Sequence, residues 1–486
     1  MRWLKCLALV PLLGTYILSA QNKQLLYDFY EIPQSLMVNP GVKANEKWHV
    51  GIPVLSGISF QAATSGVTVN DLFANDGIDF NIKVRERAIN SLSRRDDFSS
   101  TSQIEVFNVG FRGRNRPDDY YSFGMYGETD IIVYWPRDLA ILAFEGNGGA
   151  NIGSSFDLGH LNVRGEMLNV LHFGINRKID SELTVGVRAK LYSSIFNFKS
   201  TNNSGSFRTS PGEQNILENS IEADMQLQTA GVDEFLDIID QGTGTRRRDT
   251  RNLFTRRALL GGNLGLGFDA GFTYKLNEQT TITASILDVG FIYNTKDVRN
   301  FTLEGAASNE GINVFLPEDV DNLGTDLWQE LIDEIEAAVP YDENSNGYIS
   351  FRPVKAYGSI RYDFGEGSSK TSTIDCGCAI NVVGGRSEQY YRNSIGGQLF
   401  LQKRPLGIQP AVTGFYQRRF GRSLSIKGAY TVDKYSFSNV GLGLNLQAGP
   451  INFYILGDNL LAYRNVADSH YASLQFGFNI ISWNGN

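Results

Sequence analysis

Residues 263–286, "NLGLGFDAGFTYKLNEQTTITASI", alternate almost without a fault. Leu264, Leu266, Phe268, Ala270, Phe272, Tyr274 and Leu276 fall at every second position. Asn263, Gly265, Gly267, Asp269, Gly271, Thr273 and Lys275 lie between them. Successive strand side chains point to opposite faces, so the stretch predicts a strand with one oily face and one small, polar face. Asn277-Glu278-Gln279 turns the chain, and Ile282, Ala284 and Ile286 resume the alternation. The same rhythm recurs in "ELTVGVRAKLY", "KAYGSIRYDF" and "NVGLGLNLQAGPINFYI", and in the closing "YASLQFGFNIISW". No fixed-period repeat is present, only a succession of hairpins.

Alternation alone fits either a soluble sandwich or a membrane barrel. Three features favour the barrel. Several strands are long enough to cross a bilayer obliquely, which takes about 9–11 residues. Their polar faces carry charges in mid-strand, Arg188, Lys190, Asp269, Lys275 and Arg361, as a wet lumen allows. Short turns near 178–181, 277–279, 421–422 and 448–449 alternate with long connections over 67–103, 198–258 and 296–346. That asymmetry belongs to outer-membrane barrels with long extracellular loops. The expected fold is an all-β transmembrane antiparallel barrel of about 14 strands, with 12–16 allowed. Twelve strands can be drawn from Arg164 onward and three before it. That parity leaves the C-terminus on the wrong side, so one boundary near "RSEQYYR" or "KRPLG" is misplaced.

Helical spacing appears only in the connections. "PRDLAILAF" places Pro136 at a first helical position, with Leu139, Leu142 and Ala143 following. Residues 326–340 and 213–240 also read as helices within the long loops.

The N-terminus sets the compartment. Arg2 and Lys5 precede an apolar run from Cys6 to Ile17, and Leu18-Ser19-Ala20 ends in small residues. This predicts a cleaved signal peptide over 1–20 and a single barrel domain over 21–486 in the cell outer membrane. Removing Arg2 and Lys5 moves the formal charge from −8 to −10, so nucleic acid is not an expected partner. Two cysteines remain, Cys376 and Cys378, too few for a metal site.

No HExxH, G-x-S-x-G or P-loop appears, and the four histidines are scattered, so neither an enzyme nor a cofactor is expected. Asp342, Asn344, Asn346 and Gly347 match the opening of a calcium loop, but Pro353 stands where a bidentate Glu is needed. A plain turn is the simpler reading. Arg246, Arg247, Arg248, Arg251, Arg256 and Arg257 crowd the end of one long loop. They suit an anionic surface or a protein partner, or are neutralised by the acids at 217–240. The five mid-strand charges line either a polar path or an internal salt-bridge web.

Three stretches carry a family likeness: "IPQSLMVNPG", "GFDAGFTYKLNEQTTITASILDVGFI" and "GLGLNLQAGPINFYILGDNLL". With Asn39-Pro40, Asp269 and Gly271, Asp288 and Gly290, and Asp458-Asn459, they resemble an uncharacterised, domain-of-unknown-function family of Bacteroidota outer-membrane barrels. That family is similar in layout to fatty-acid-transporter-like barrels and to the PorV and PorP/SprF barrels of type IX secretion. The resemblance implies contact with outer-membrane lipid and leaves two functions open. One is an accessory scaffold that binds a surface or secretion partner through its long loops. The other is a channel or transporter for a hydrophobic or small solute, gated by the helix near 136–144. The chain ends Trp483-Asn484-Gly485-Asn486, whereas such barrels usually end on an aromatic residue.

Overall fold

The computed structural model describes residues 23–212, 217–240, 246–310, 341–366 and 391–482. The signal peptide expected at 1–20, the helix expected at 326–340, Cys376, Cys378 and Trp483 lie outside the described residues.

The strands are β1 (Trp48–Gly51), β2 (Ile58–Thr64), β3 (Asp97–Arg112), β4 (Asp119–Tyr134), β5 (Ser155–Asp157), β6 (Val163–Lys178) and β7 (Leu183–Pro211). They continue as β8 (Leu217–Ala230), β9 (Asn263–Lys275), β10 (Thr280–Asn294), β11 (Val298–Glu310), β12 (Tyr341–Asn344), β13 (Tyr348–Phe351) and β14 (Lys355–Glu366). The last six are β15 (Tyr391–Arg404), β16 (Gly407–Phe420), β17 (Leu424–Val432), β18 (Asn439–Ala448), β19 (Ile451–Asp458) and β20 (Tyr471–Ile481).

Antiparallel pairing runs β3–β4–β6–β7–β9–β10–β14 and then through β15 to β20 in sequence. β1 and β2 stand end to end as one stave between β20 and β3 and close the ring. The result is a 14-strand barrel with no free edge. In a bilayer only such closure satisfies every strand amide and carbonyl.

The outside answers what covers the oily face. Phe268 is 51% exposed and its neighbour Asp269 0%. Phe123, Phe173, Val187, Ile286, Ile360, Ile395, Val412 and Leu442 continue the exposed apolar band around the ring. Trp48, Phe111, Tyr274, Tyr362 and Tyr416 are exposed near the short-turn end, as an interfacial aromatic girdle would be. Lumen positions are instead Ser, Thr, Asn, Gln and charged residues, nearly all buried. Lipid is the medium this surface fits.

From Val163 onward the ring holds eleven staves, not the twelve drawn from sequence. "KRPLG" is a tight hairpin between β15 and β16. Two connections also differ from expectation. β7 does not end near 198 but runs on to Pro211, and 217–230 is a strand, not a helix. The helical spacing of Ile221, Met225 and their neighbours is overridden because β8 pairs along its length with β7 on one side and β11 on the other. These strands, with β5 and β12 at the edges, raise a sheet past the barrel rim.

Among the described residues, five short α-helices lie in the long connections: α1 (Val69–Phe73), α2 (Phe80–Lys83), α3 (Arg137–Phe144), α4 (Asp233–Asp240) and α5 (Arg246–Arg256). α3 follows Pro136, which fixes the cap backbone before the first turn. Its Ala140 packs with Val67, Val84, Ala88, Ile89 and Leu92 at the long-loop end.

Candidate functional site

The lumen is filled by the chain's own N-terminal segment, residues 23–47. Leu25, Leu26, Tyr27, Phe29, Ile32 and Val38 pack against the wall residues Leu287, Tyr357, Phe415, Ala429, Tyr454 and Leu456. Tyr27 stacks on Tyr357 with ring centroids 4.8 Å apart. Pro33 opens a 3-10 turn over Pro33–Met37, and the Asn39 side-chain oxygen accepts from the Gly41 amide at 2.9 Å to form the next turn.

Before Lys47, whose carbonyl accepts the Arg112 amide of β3 at 2.8 Å, this plug pairs with no strand, yet buried carbonyls need donors. Lumen side chains supply them. Arg361 donates to the Asp28 carbonyl at 2.8 Å, and Gln398 and Lys427 both donate to that of Tyr27, at 3.1 and 2.5 Å. Ser285 donates to the Val38 carbonyl at 2.7 Å. Asn176 holds the Pro40 and Val42 carbonyls at 2.7 and 2.8 Å, and Arg188 donates to those of Leu36 and Met37.

Where the plug meets β7 and β9 there is no room for side chains. A Cβ on Gly186 would come within 1.9 Å of the Pro40 carbonyl oxygen, and one on Gly271 within 2.2 Å of the Asn39 side chain. The Asn39-Pro40 and Gly271 positions noted in the sequence are therefore the two sides of one contact.

Behind the plug lies a chain of buried ion pairs. Asp269 binds Arg188 at 3.2 Å and Lys190 at 2.8 Å; Lys190 reaches Asp288 at 2.6 Å. Lys355 joins Asp288 at 3.0 Å to Glu128 at 3.2 Å, and Arg352 joins Glu128 at 3.0 Å to Glu166, which also pairs with Arg164. Five cations thus face four carboxylates, and the chain crosses the lumen from β9, β10 and β14 to β4 and β6, which are not neighbours in the ring. Asp288 has φ 59°, a left-handed conformation that Asp tolerates, and its amide donates to Asp269 at 2.8 Å.

The wall itself is irregular at one place. Between β1 and β2, residues 52–57 pass beside only Gly477 and Phe478 of β20. Val54 there has φ 65°, a strained value for a β-branched residue. The Phe478 carbonyl accepts from the Ile52 amide and its amide donates to the Leu55 carbonyl, so the bulge stays bonded. Its Ser56 donates to Glu105 at 2.9 Å, and Gln34 of the plug donates to the same carboxylate oxygen at 3.1 Å. Plug and bulge therefore share one buried carboxylate.

Of the five charges expected to line the lumen, Arg188, Lys190 and Asp269 meet in the ion chain and Arg361 holds the plug. All four are buried. Lys275 stands apart, half-exposed at the short-turn end. The arginine cluster divides. Arg257 is buried, donates to the Ile195 and Gly231 carbonyls and pairs with Glu234 at 2.9 Å and Asp297 at 2.8 Å. It is an internal strut, which corrects its assignment to an anion-binding surface. Arg256 pairs with Glu234, Arg246 donates to the Ile239 carbonyl and Arg248 pairs with Asp249. Arg247 and Arg251 are exposed on α5.

The calcium-like stretch is a turn. The Asn344 side-chain oxygen accepts from Asn300 at 2.9 Å and from the Asn346 amide at 3.2 Å, and Glu343 pairs with Arg299. Among the described residues, no group of three or more His, Cys, Asp or Glu could hold a metal ion.

The plug was not anticipated from sequence, nor were Glu128, Glu166, Arg352 and Lys355, while Asp288 stood out only as part of the family likeness. The plug's one sequence signal was the "NPG" at 39–41, a turn with nothing alternating beside it.

Fourteen antiparallel staves, an apolar outside, a polar inside and a separate inner segment define a plugged transmembrane β-barrel. The chain belongs to a family of unknown function (DUF5723), whose model matches residues 40–458. No curated protein matches it. Among solved structures it is similar to the toluene transporter TodX of Pseudomonas putida, at 10% identity and TM-score 0.36 over 95% of this chain and 96% of that one. It is also similar to the toluene transporter TbuX of Ralstonia pickettii, at 9% identity and TM-score 0.39 over 93% and 94%. A Pseudomonas aeruginosa FadL homologue is similar at 9% identity and TM-score 0.36 over 92% and 91%.

Proposed function

We propose that the protein is an outer-membrane transport barrel, not an enzyme, in which residues 23–47 gate the passage of a small solute. The short turns then face the periplasm and the long connections the outside. One observation carries the reading. Up to Glu46 the plug is held by side chains donating to its carbonyls, not by strand pairing, so it can shift while the wall keeps all its ladder bonds. The shared Glu105 gives that shift a route to the strained bulge at 52–57.

A second reading, an accessory barrel that docks a surface or secretion partner, is favoured by the sheet of β5, β7, β8, β11 and β12 standing past the rim. Deleting residues 200–228 separates the two. Solute passage persists under the first reading, and a co-purifying partner is lost under the second.

The gate is tested by locking it. With Cys376 and Cys378 replaced by Ser, Asp28→Cys and Thr283→Cys place a thiol pair where a plug and a wall side chain meet at 3.1 Å. Oxidation is expected to stop solute uptake into proteoliposomes, and reduction to restore it. Equal uptake in both states would reject gating by the plug.

A further inference from the structure

Above the plug tip, towards the long-loop end, the lumen keeps a cavity of about 70 Å³. Lys23, the first described residue, forms part of its floor, and β2, β3, β14, β15 and β16 supply most of its wall. We infer that this cavity is a binding site for a small, neutral, hydroxyl-rich solute of the polyol or sugar type, a substrate class for the transport reading on which it rests.

The cavity wall carries charges of both signs, Lys23, Lys355 and Lys434 beside Glu128 and Asp433. Lys355 is bound by Glu128 and Asp288, Lys434 by Asp97, and Lys23 donates to Gln103. The Asp433 carboxylate accepts the Tyr435 and Ser436 amides at 2.8 and 2.9 Å. An anion drawn to the lysines would lie against Glu128 and Asp433, and a cation drawn to those carboxylates would lie against the lysines. Neutral polar groups are what remains. Ser59, Gln61 and Gln402 line the cavity and make no side-chain hydrogen bond to another described residue. Two amides and a hydroxyl offer donors and acceptors together, which suits hydroxyl groups that need both.

Beside them Tyr357 and Phe400 meet with ring centroids 4.7 Å apart and give an apolar face of the kind that covers the C–H side of a sugar or polyol. A hydrocarbon would gain that face but would bury the free amides against a group that cannot bond them. The cavity is smaller than most ligand sites, which run to about 300–1,000 Å³, so a solute larger than a few heavy atoms enters only as the plug tip yields.

The test uses the full mature chain in nanodiscs, with ribitol, hexanoate and toluene as probes read by saturation-transfer NMR. Ribitol is expected to bind. The Gln61→Leu/Gln402→Leu variant is expected to weaken it about tenfold, as the loss of hydrogen bonds of ordinary strength implies. Gln61→Asn/Gln402→Asn retains part of the binding and controls for folding. Hexanoate or toluene displacing ribitol, or the leucine variant binding ribitol unchanged, overturns the inference. Proteoliposome uptake keeps it separable from the transport reading. Ribitol bound but never taken up leaves the site standing and removes transport. Solute uptake indifferent to both glutamines leaves transport standing and removes the site.

Discussion

Arg361→Met is expected to open the barrel. The guanidinium donates to the Asp28 carbonyl of the plug at 2.8 Å and to Ser394 at 2.7 Å, and it lies 4.6 Å from the centre of the Tyr30 ring. Methionine fills similar space but supplies no donor and no charge. A hydrogen bond to a charged group is worth about 1.5–3 kcal/mol, and a cation–π contact about 0.5–2. The docked plug therefore loses roughly 2–4 kcal/mol against the displaced one. At about 1.4 kcal/mol per tenfold, the displaced population rises roughly 30- to 1,000-fold. Planar-bilayer recordings should show openings that become frequent in the variant, while heat-modifiable migration on gels reports that the barrel is intact. Lys427→Met, which removes a donor to the Tyr27 carbonyl, should act the same way. A folded variant as silent as the parent would show that Arg361 does not hold a gate.

Asp288→Asn is expected to weaken the fold without opening it. The carboxylate sits between Lys190 at 2.6 Å and Lys355 at 3.0 Å. Asparagine keeps the shape and tolerates the left-handed backbone at φ 59°, so the change isolates the charge. Removing one partner of a buried ionic network leaves the others uncompensated and costs about 3–5 kcal/mol. The effect should appear as a lower thermal midpoint for loss of heat-modifiable migration, with conductance unchanged, because none of these three side chains bonds to the plug. A new conductance in Asp288→Asn would mean that the ion chain, not the plug, closes the lumen.

The different responses expected of the two variants reflect how much the sequence disclosed. The alternation at 263–276 carried the wall, because a period of two has one structural meaning once the strands are long and the polar face is charged. Which faces were oily, that the ring had about 14 members, and that Arg188, Lys190, Asp269 and Arg361 pointed inward all followed from it. The partners of those residues did not. Asp269 meets Lys190 across adjacent staves, but Glu128 meets Arg352 across the lumen, and no local spacing encodes a contact over 224 positions. Residues 217–230 were misread because a helical period within a loop is a weak signal beside two strand partners that only the fold provides. The plug escaped for a related reason. Leu25, Leu26, Phe29 and Ile32 are buried by the wall around them and need no amphipathic pattern of their own. Arg257 shows the converse: its place in a run of arginines suggested a solvated surface, but the fold buries it between Glu234 and Asp297.

The central claim is that residues 23–47, and not the wall or the ion chain, close this barrel. Planar-bilayer conductance of the intact chain beside one lacking residues 23–46 tests it most directly. The account predicts an intact barrel that is closed apart from rare openings, and a deletion variant that inserts and conducts steadily. A folded deletion variant as silent as the parent, or a parent that already conducts as steadily as the deletion, would contradict it.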